Sequence, residues 1–186
     1  MRIPELTQAE VAILSLLSEG AAHGYALNEA IEYRGMRSWT DIAFSSIYAI
    51  LNRLEKEALI TSRLDPSAKG PARKIYRLTR KGRTTLLKTI RLYISEPESP
   101  KSRINLGAAY IELLPTEDAI QCLEGYRTKL QERMDHIQKV RAQQQPVPFG
   151  ADIIFDHGLI KGHAELEWID DVLKQLRKRQ ENQQDE

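Results

Sequence analysis

The chain has 186 residues, 41% of them apolar and 28% charged, enough to bury a proper core in one domain or two small ones. Its formal net charge of +1 conceals a basic half, with 15 Lys and Arg against 9 Asp and Glu in residues 1–92, and an acidic half, with 12 against 17 in residues 93–186. That asymmetry is the footprint of a polyanion-binding domain joined to a second module, and with no apolar run near the roughly 18 residues of a membrane helix and no signal-peptide core, a cytoplasmic protein is expected.

Thr7 and Glu10 form a capping-box pair at the start of TQAEVAILSLLSEG, where Val11, Ile13, Leu14, Leu16 and Leu17 make a broad apolar face before Gly20. A shorter helix follows in HGYALNEAIEYRG, with Leu27, Ala30 and Ile31 on one face and Gly35 at its end. In FSSIYAILNRLEKEAL the stripe Ile47, Ile50, Leu51, Leu54 and Ala58 predicts a third helix. Ser45, Ala49, Asn52, Arg53 and Lys56 lie around its opposite face, with Tyr48 at the border and Ser46 at the helix start. An ordinary solvated surface has the same pattern, but small side chains near a helix start also permit close approach to base edges, and Asn52 and Arg53 are hydrogen-bond donors for them.

LITSRL and RKIYRL predict two short strands joined by DPSAKGPA, whose Pro and Gly residues suit a turn. Alternation puts Lys74, Tyr76 and Leu78 on one side and Arg73, Ile75 and Arg77 on the other. The run 69–83, KGPARKIYRLTRKGR, holds seven Lys or Arg and no acid. Lys69, Arg73, Lys74 and Arg77 are the candidate phosphate contacts of this hairpin. Thr79 is placed as the N-cap of a fourth helix that returns Leu86, Leu87 and Ile90 to the core. Three helices, a hairpin and a closing helix form a winged helix-turn-helix, whose third helix enters the major groove while the wing follows the flanking phosphates.

The basic half, taken as residues 1–94, ends where the prolines and serines of ISEPESPKS interrupt the periodicity, so 95–102 is the expected linker and 103–186 a helical second domain. After Pro115 an uninterrupted helical pattern runs for about 28 residues, or roughly 40 Å, and a second long pattern follows the break QQQPVPFG. Leu123, Leu130 and Ile137 repeat every seven residues, as do Leu159, Leu166 and Leu173, and Gly162, Ile169 and Leu176. These are seams of an antiparallel pair or a coiled coil. One short bundle can close one seam on itself; the apolar surface left over is expected to pair with a second subunit, giving a homodimer through Leu123, Leu130, Ile137, Leu159, Leu166, Ile169, Leu173 and Leu176. Cys122 is the single cysteine, expected as a buried thiol. His163 and Glu167 lie four apart without the further ligands a metal site needs. The chain has no nucleophile elbow, phosphate loop or metal motif, so neither an enzyme nor a cofactor is expected.

Residues 23–25 (HGY), then Tyr48, Leu51, Arg53, Leu54 and Glu55, then Gly70, Pro71, Arg73, Lys74, Tyr76, Leu78, Thr79 and Gly82 resemble the PadR family of bacterial transcriptional regulators in order and spacing over about sixty residues. The resemblance implies a DNA-binding regulator, dimeric through its C-terminal helices and of the larger-tailed subgroup, with Tyr48 and the wing Gly-Pro approaching the DNA backbone. Two positions depart from the pattern: Ala49 stands where the family usually has Pro, and Ala58 where it usually has Gly. Both are favourable helix residues, so a more regular third helix is expected. Some relatives bind phenolic acids or planar drugs, which makes a small aromatic effector a candidate partner, with Trp39 and Trp168 as stacking surfaces. A nonspecific nucleic-acid-binding or ribosome-associated protein is the alternative reading of the same basic patch.

Overall fold

The structure is a computed structural model that describes residues 6–42, 47–65, 73–97 and 101–184. It divides into two compact units, Met1–Ser99 and Pro100–Glu186. Four of the candidate DNA contacts, Ser45, Ser46, Lys69 and Gly70, lie outside the described residues.

The first unit begins with helix α1, Gln8–Glu19. Both arms of its capping box are made: the backbone N–H of Glu10 donates to Thr7 Oγ1 (3.3 Å), and that of Thr7 donates to Glu10 Oε2 (2.8 Å). A two-residue strand, β1 (Ala22–His23), then leads into α2, Gly24–Tyr33. After a 3₁₀ turn at Met36–Ser38 comes α3, Ile47–Lys56. Arg37 fixes that turn, donating to Asn28 Oδ1 (2.8 Å), to the carbonyl of Ile42 (2.5 Å) and to Glu32 (2.5 Å). Strands β2 (Ile60–Leu64) and β3 (Lys74–Leu78) form the wing, and α4 (Arg80–Ser95) closes the unit.

The sheet has three strands in the order β1-β3-β2, all antiparallel, rather than the two of the expected hairpin. Tyr76 is the register point, paired with Ala22 on one side and Ser62 on the other. Beneath the sheet, Ile13, Leu14, Leu27, Ile31, Leu51, Leu54 and Ile60 are fully buried. Each such side chain removed from water contributes about 1.5–3 kcal/mol. Together they lock α1, α2, α3 and the wing into one body.

The end of α3 corrects the expectation of a more regular helix. Ala58 lies outside the helix at φ 56, a left-handed conformation. Its N–H donates to the carbonyl of Glu55 (3.0 Å), and that of Leu59 to the carbonyl of Leu54 (2.9 Å). This pair of bonds is the Schellman stop, whose left-handed residue is usually glycine. The chain turns there into β2.

The second unit contains α5 (Arg103–Ala109), a 3₁₀ turn at Ile111–Leu113, and two long helices, α6 (Thr116–Gln143) and α7 (Phe149–Gln184). Pro146 and Pro148 separate the long helices, which pack antiparallel. Leu123, Leu130, Ile169, Leu173 and Leu176 are buried between them with Ala119 and Met134, and Leu159 and Leu166 pack partly against this cluster. The close approach continues where Ile137 meets Gly158 and Met134 meets Gly162. Ion pairs lace its edges: Arg127–Asp170 (2.7 Å), Arg177–Glu124 (2.6 Å), and Arg141 with both Asp152 (2.6 Å) and Asp156 (2.7 Å).

The seven-residue seams therefore close on each other inside one chain. The residues expected to meet a second subunit, Leu123, Leu130, Ile137, Leu159, Leu166, Ile169, Leu173 and Leu176, belong mostly to this intrachain core, because two antiparallel helices with complementary stripes satisfy both at no cost in association entropy. The most exposed apolar residues of this unit lie elsewhere: Leu106, Tyr110 and Leu113 around α5, and Phe149, Ile153 and Ile160 on α7. Cys122 is exposed rather than buried, since the inward positions of its turn are taken by Ala119 and Leu123. No helix among the described residues is long and apolar enough to cross a membrane.

Candidate nucleic-acid interface

One edge of the first unit gathers the exposed residues of α3 and the wing. Tyr48, Ala49, Asn52 and Lys56 of α3 are all exposed, Tyr48 by 60%. The ring of Tyr48 rests on the first turn of α2, where a Cβ on Gly24 would come within 2.8 Å of Tyr48 Cε1. The lack of a side chain at Gly24 lets the tyrosine lie across the α2 start. Around it opens a cleft of about 740 Å³ lined by His23, Tyr25, Tyr48, Arg73, Lys74 and Tyr76.

Two of these residues were not singled out as sites from the sequence. Tyr25 is 64% exposed beside Tyr48. His23 joins the wing base, with Nδ1 3.1 Å from the Lys74 carbonyl and Nε2 3.1 Å from Asp65 Oδ2. The HGY triplet carried the signal for both.

The wing cations separate into two groups. Arg73 and Lys74 face the tyrosine cleft, whereas Arg77 lines a second groove of about 440 Å³ with Arg80, Arg83 and Thr79. The charge of Lys74 is partly engaged: its Nζ donates to Glu55 Oε2 (3.2 Å), and Ser62 Oγ donates to the other oxygen of Glu55 (2.5 Å). The Ser62 hydroxyl first, and Lys74 with it, holds the Glu55 carboxyl below its ordinary range. Lys81 is drawn aside as well, donating to the carbonyl of Glu57 (2.6 Å).

Arg53 stands differently from its neighbours on α3. Its Nε donates to Glu10 Oε1 (2.5 Å), and its Nη2 meets the same oxygen. Glu10, on α1, is 1% exposed. The expected base contact is thus joined to a buried carboxylate, and that bond raises the guanidinium further above its ordinary range. Protonated at every working pH, Arg53 acts here as a fixed cation.

The two tryptophans belong to different units. Trp39 follows the 3₁₀ turn before α3, partly exposed. Trp168 borders an apolar cavity of about 290 Å³ with Ile111, Leu114, Cys122, Leu123 and Tyr126. Its polar edge is Tyr126 Oη, which donates to Glu165 (2.9 Å). His163 turns its Nδ1 to the Leu159 carbonyl of its own helix (2.8 Å).

Comparison with known proteins matches both units. Residues 13–88 match the Transcriptional regulator PadR-like family, and residues 108–177 match Virulence activator alpha C-term. The Negative transcriptional regulator PadR of Bacillus subtilis (strain 168) is 25% identical over 176 residues, covering 90% of this chain and 96% of that protein. Its crystal structures with operator DNA and with p-coumaric acid both superpose with a TM-score of 0.72, at 22% and 23% identity, over 90% of this chain and 98% of that one. The virulence activator AphA of Vibrio cholerae gives a TM-score of 0.73 at 17% identity, over 92% of this chain and 99% of that one. The winged helix followed by a helical domain is common to all of them.

Proposed function

We propose that the chain, whose residues 13–88 match the PadR-like family of transcriptional regulators, is a ligand-responsive homodimeric repressor that binds an inverted-repeat operator in double-stranded DNA. Residues 1–94 bind the DNA, 103–186 dimerise, and 95–102 link them. Its site of action is the chromosome, in the cytoplasm.

The observation that carries this reading is the edge where α3 and the wing base come together. Exposed Tyr48 adjoins Arg73 and Lys74 around one cleft, and Ala49 and Asn52 are exposed on the same helix, which supports a helix able to read base edges beside cations able to hold phosphates. Repression follows the Bacillus subtilis relative, named as a negative regulator. The dimer follows from the apolar side chains left exposed around α5 and on α7. With two recognition helices roughly 34 Å apart, the operator is an inverted repeat.

A small aromatic effector is part of the proposal, since the relative is known with p-coumaric acid. The apolar cavity beside Trp168 and the exposed face of Trp39 are its candidate contacts. Whichever it uses, the effector must bind the DNA-competent and incompetent dimers unequally.

Selection of bound sequences from a random duplex pool, followed by titration of the selected site against scrambled DNA at physiological salt, tests the function. An inverted repeat preferred by well over tenfold is the expected result; a preference under about tenfold makes the chain a nonspecific nucleic-acid binder instead.

A further inference from the structure

We propose that Glu10 is a positioning residue for DNA reading: it fixes the setting of α3 through Arg53, which makes Arg53 an anchor of the recognition helix and not a base contact. The inference rests on the operator-binding function proposed above.

A capping-box glutamate needs one oxygen for its own helix end, and such residues ordinarily sit in water. Glu10 is 1% exposed and uses both oxygens. Oε2 accepts from Thr7 N (2.8 Å) and Thr7 Oγ1 (3.0 Å), while Oε1 accepts from Arg53 Nε (2.5 Å) across 43 residues of sequence. A carboxylate at this depth is tolerated because every bond to it is made.

Arg53 in turn is drawn onto one oxygen through both Nε and Nη2. Nε and Nη2 form one of the two guanidinium edges able to pair with guanine O6 and N7, and that edge is already occupied. Its other carboxylate neighbour, Glu57, is 4.0 Å away and more exposed, a weak surface pair by comparison.

The arrangement has a firm base. Leu6, just before Thr7, is buried, and its carbonyl accepts from Tyr93 Oη of α4 (2.9 Å). The α1 N-terminus is thus held from α4, and α3 is held from the α1 N-terminus. Arg53 shares the exposed side of α3 with Ala49, Asn52 and Lys56, so its bond to Glu10 adds a polar tether to the apolar contacts of Leu51 and Leu54 in setting that face.

The test uses Glu10→Gln, Arg53→Gln, the double variant, and Glu57→Gln as a charge-matched neighbour. Each is titrated with the selected operator and with scrambled DNA, and each is put through the same selection. Glu10→Gln is expected to weaken operator binding by about tenfold or more while scrambled DNA changes by less than about twofold. Arg53→Gln should do the same, and the double variant should be no weaker than either single one, since the two side chains act as one unit. The selected half-site should lose preference at all its positions together.

Three results overturn the proposal. If Glu10→Gln binds the operator as well as or better than wild type while Arg53→Gln loses preference at a single base pair, Arg53 reads DNA directly. If Glu57→Gln matches Glu10→Gln, the effect is one of net charge. If operator and scrambled affinities fall together in Arg53→Gln at an unchanged melting temperature, the pair does not orient the helix. Should Glu10→Gln fail to fold, Arg53→Gln carries the selection readout, its side chain being half exposed. A wild-type protein with no operator preference overturns the proposed function instead, and is seen in the first titration.

Discussion

Ala58 and Gly82 show how much rests on single Cβ atoms. Ala58 holds a left-handed φ of 56, which costs an L-residue on the order of 1–2 kcal/mol, whereas glycine loses only the advantage of a stiffer unfolded chain, about 0.4–1 kcal/mol. Ala58→Gly is therefore expected to stabilise the protein by about 0.5 kcal/mol or more, seen as a higher urea midpoint at unchanged slope. Gly82 is the opposite case. A Cβ there would stand 2.0 Å from the Leu59 carbonyl oxygen, beside the bonds by which Thr79 joins the end of α3 to the start of α4. Gly82→Ala should cost more than about 2 kcal/mol and lower the melting temperature. Of these two positions the sequence marks both and explains neither. Ala58 continues the stripe of Leu51 and Leu54, and the sign of its φ leaves no trace in an alanine. The Thr7–Glu10 signature is plain, but the burial of Glu10 and its bond to Arg53 depend on two elements meeting in space.

Among the elements, the wing separates position from charge. Alternation holds for Tyr76, buried, and Arg77, exposed, because period two is fixed by the pleat; Arg73, placed on the Arg77 side, instead lines the tyrosine cleft with Lys74. Strand β1 was not legible, since two residues between glycines are too short for any period. Nor was the division of the cations between two grooves, one at the start of β3 and the other where β3 meets α4. Arg73→Ala should weaken all duplexes alike and lower the salt slope by about one phosphate contact, while Asn52→Ala should cost about 1–3 kcal/mol at one base pair per half-site; anisotropy over a salt series separates them. Glu55 ties α3 to both wing strands, and its lowered pKa sets the sign of a pH effect. Its stabilisation is complete above the ordinary carboxylate range and disappears as pH falls through its lowered folded value. Melting temperatures of Glu55→Gln should accordingly converge on those of wild type in acid and fall below them near neutrality.

At the scale of the molecule, the seven-residue seams were legible, but which copy of the chain closes them was not, because a stripe specifies a partner surface without saying whose it is. The α6–α7 hairpin satisfies those seams internally, so the proposed dimer is expected to use other apolar surface. The short segment around α5 has no fully buried residue, yet it carries Leu106, Tyr110 and Leu113, the last 81% exposed. A seven-residue helix with so little packing of its own is marginal in water and gains most by covering these side chains with a second subunit. The double substitution Leu106→Glu with Leu113→Glu is expected to leave the helical content and the α6–α7 core intact, and to convert a dimer into a monomer in sedimentation velocity. Leu130→Ala, within the hairpin, should do the reverse, costing about 2–5 kcal/mol of folding stability with the dimer retained wherever the chain is folded. The monomer should also lose operator affinity far more than affinity for a single half-site, since joining two half-site contacts makes the second one effectively intramolecular. If the glutamate variant stays dimeric, α5 is not the joint, and the exposed Phe149, Ile153 and Ile160 on α7 become the surface to substitute next.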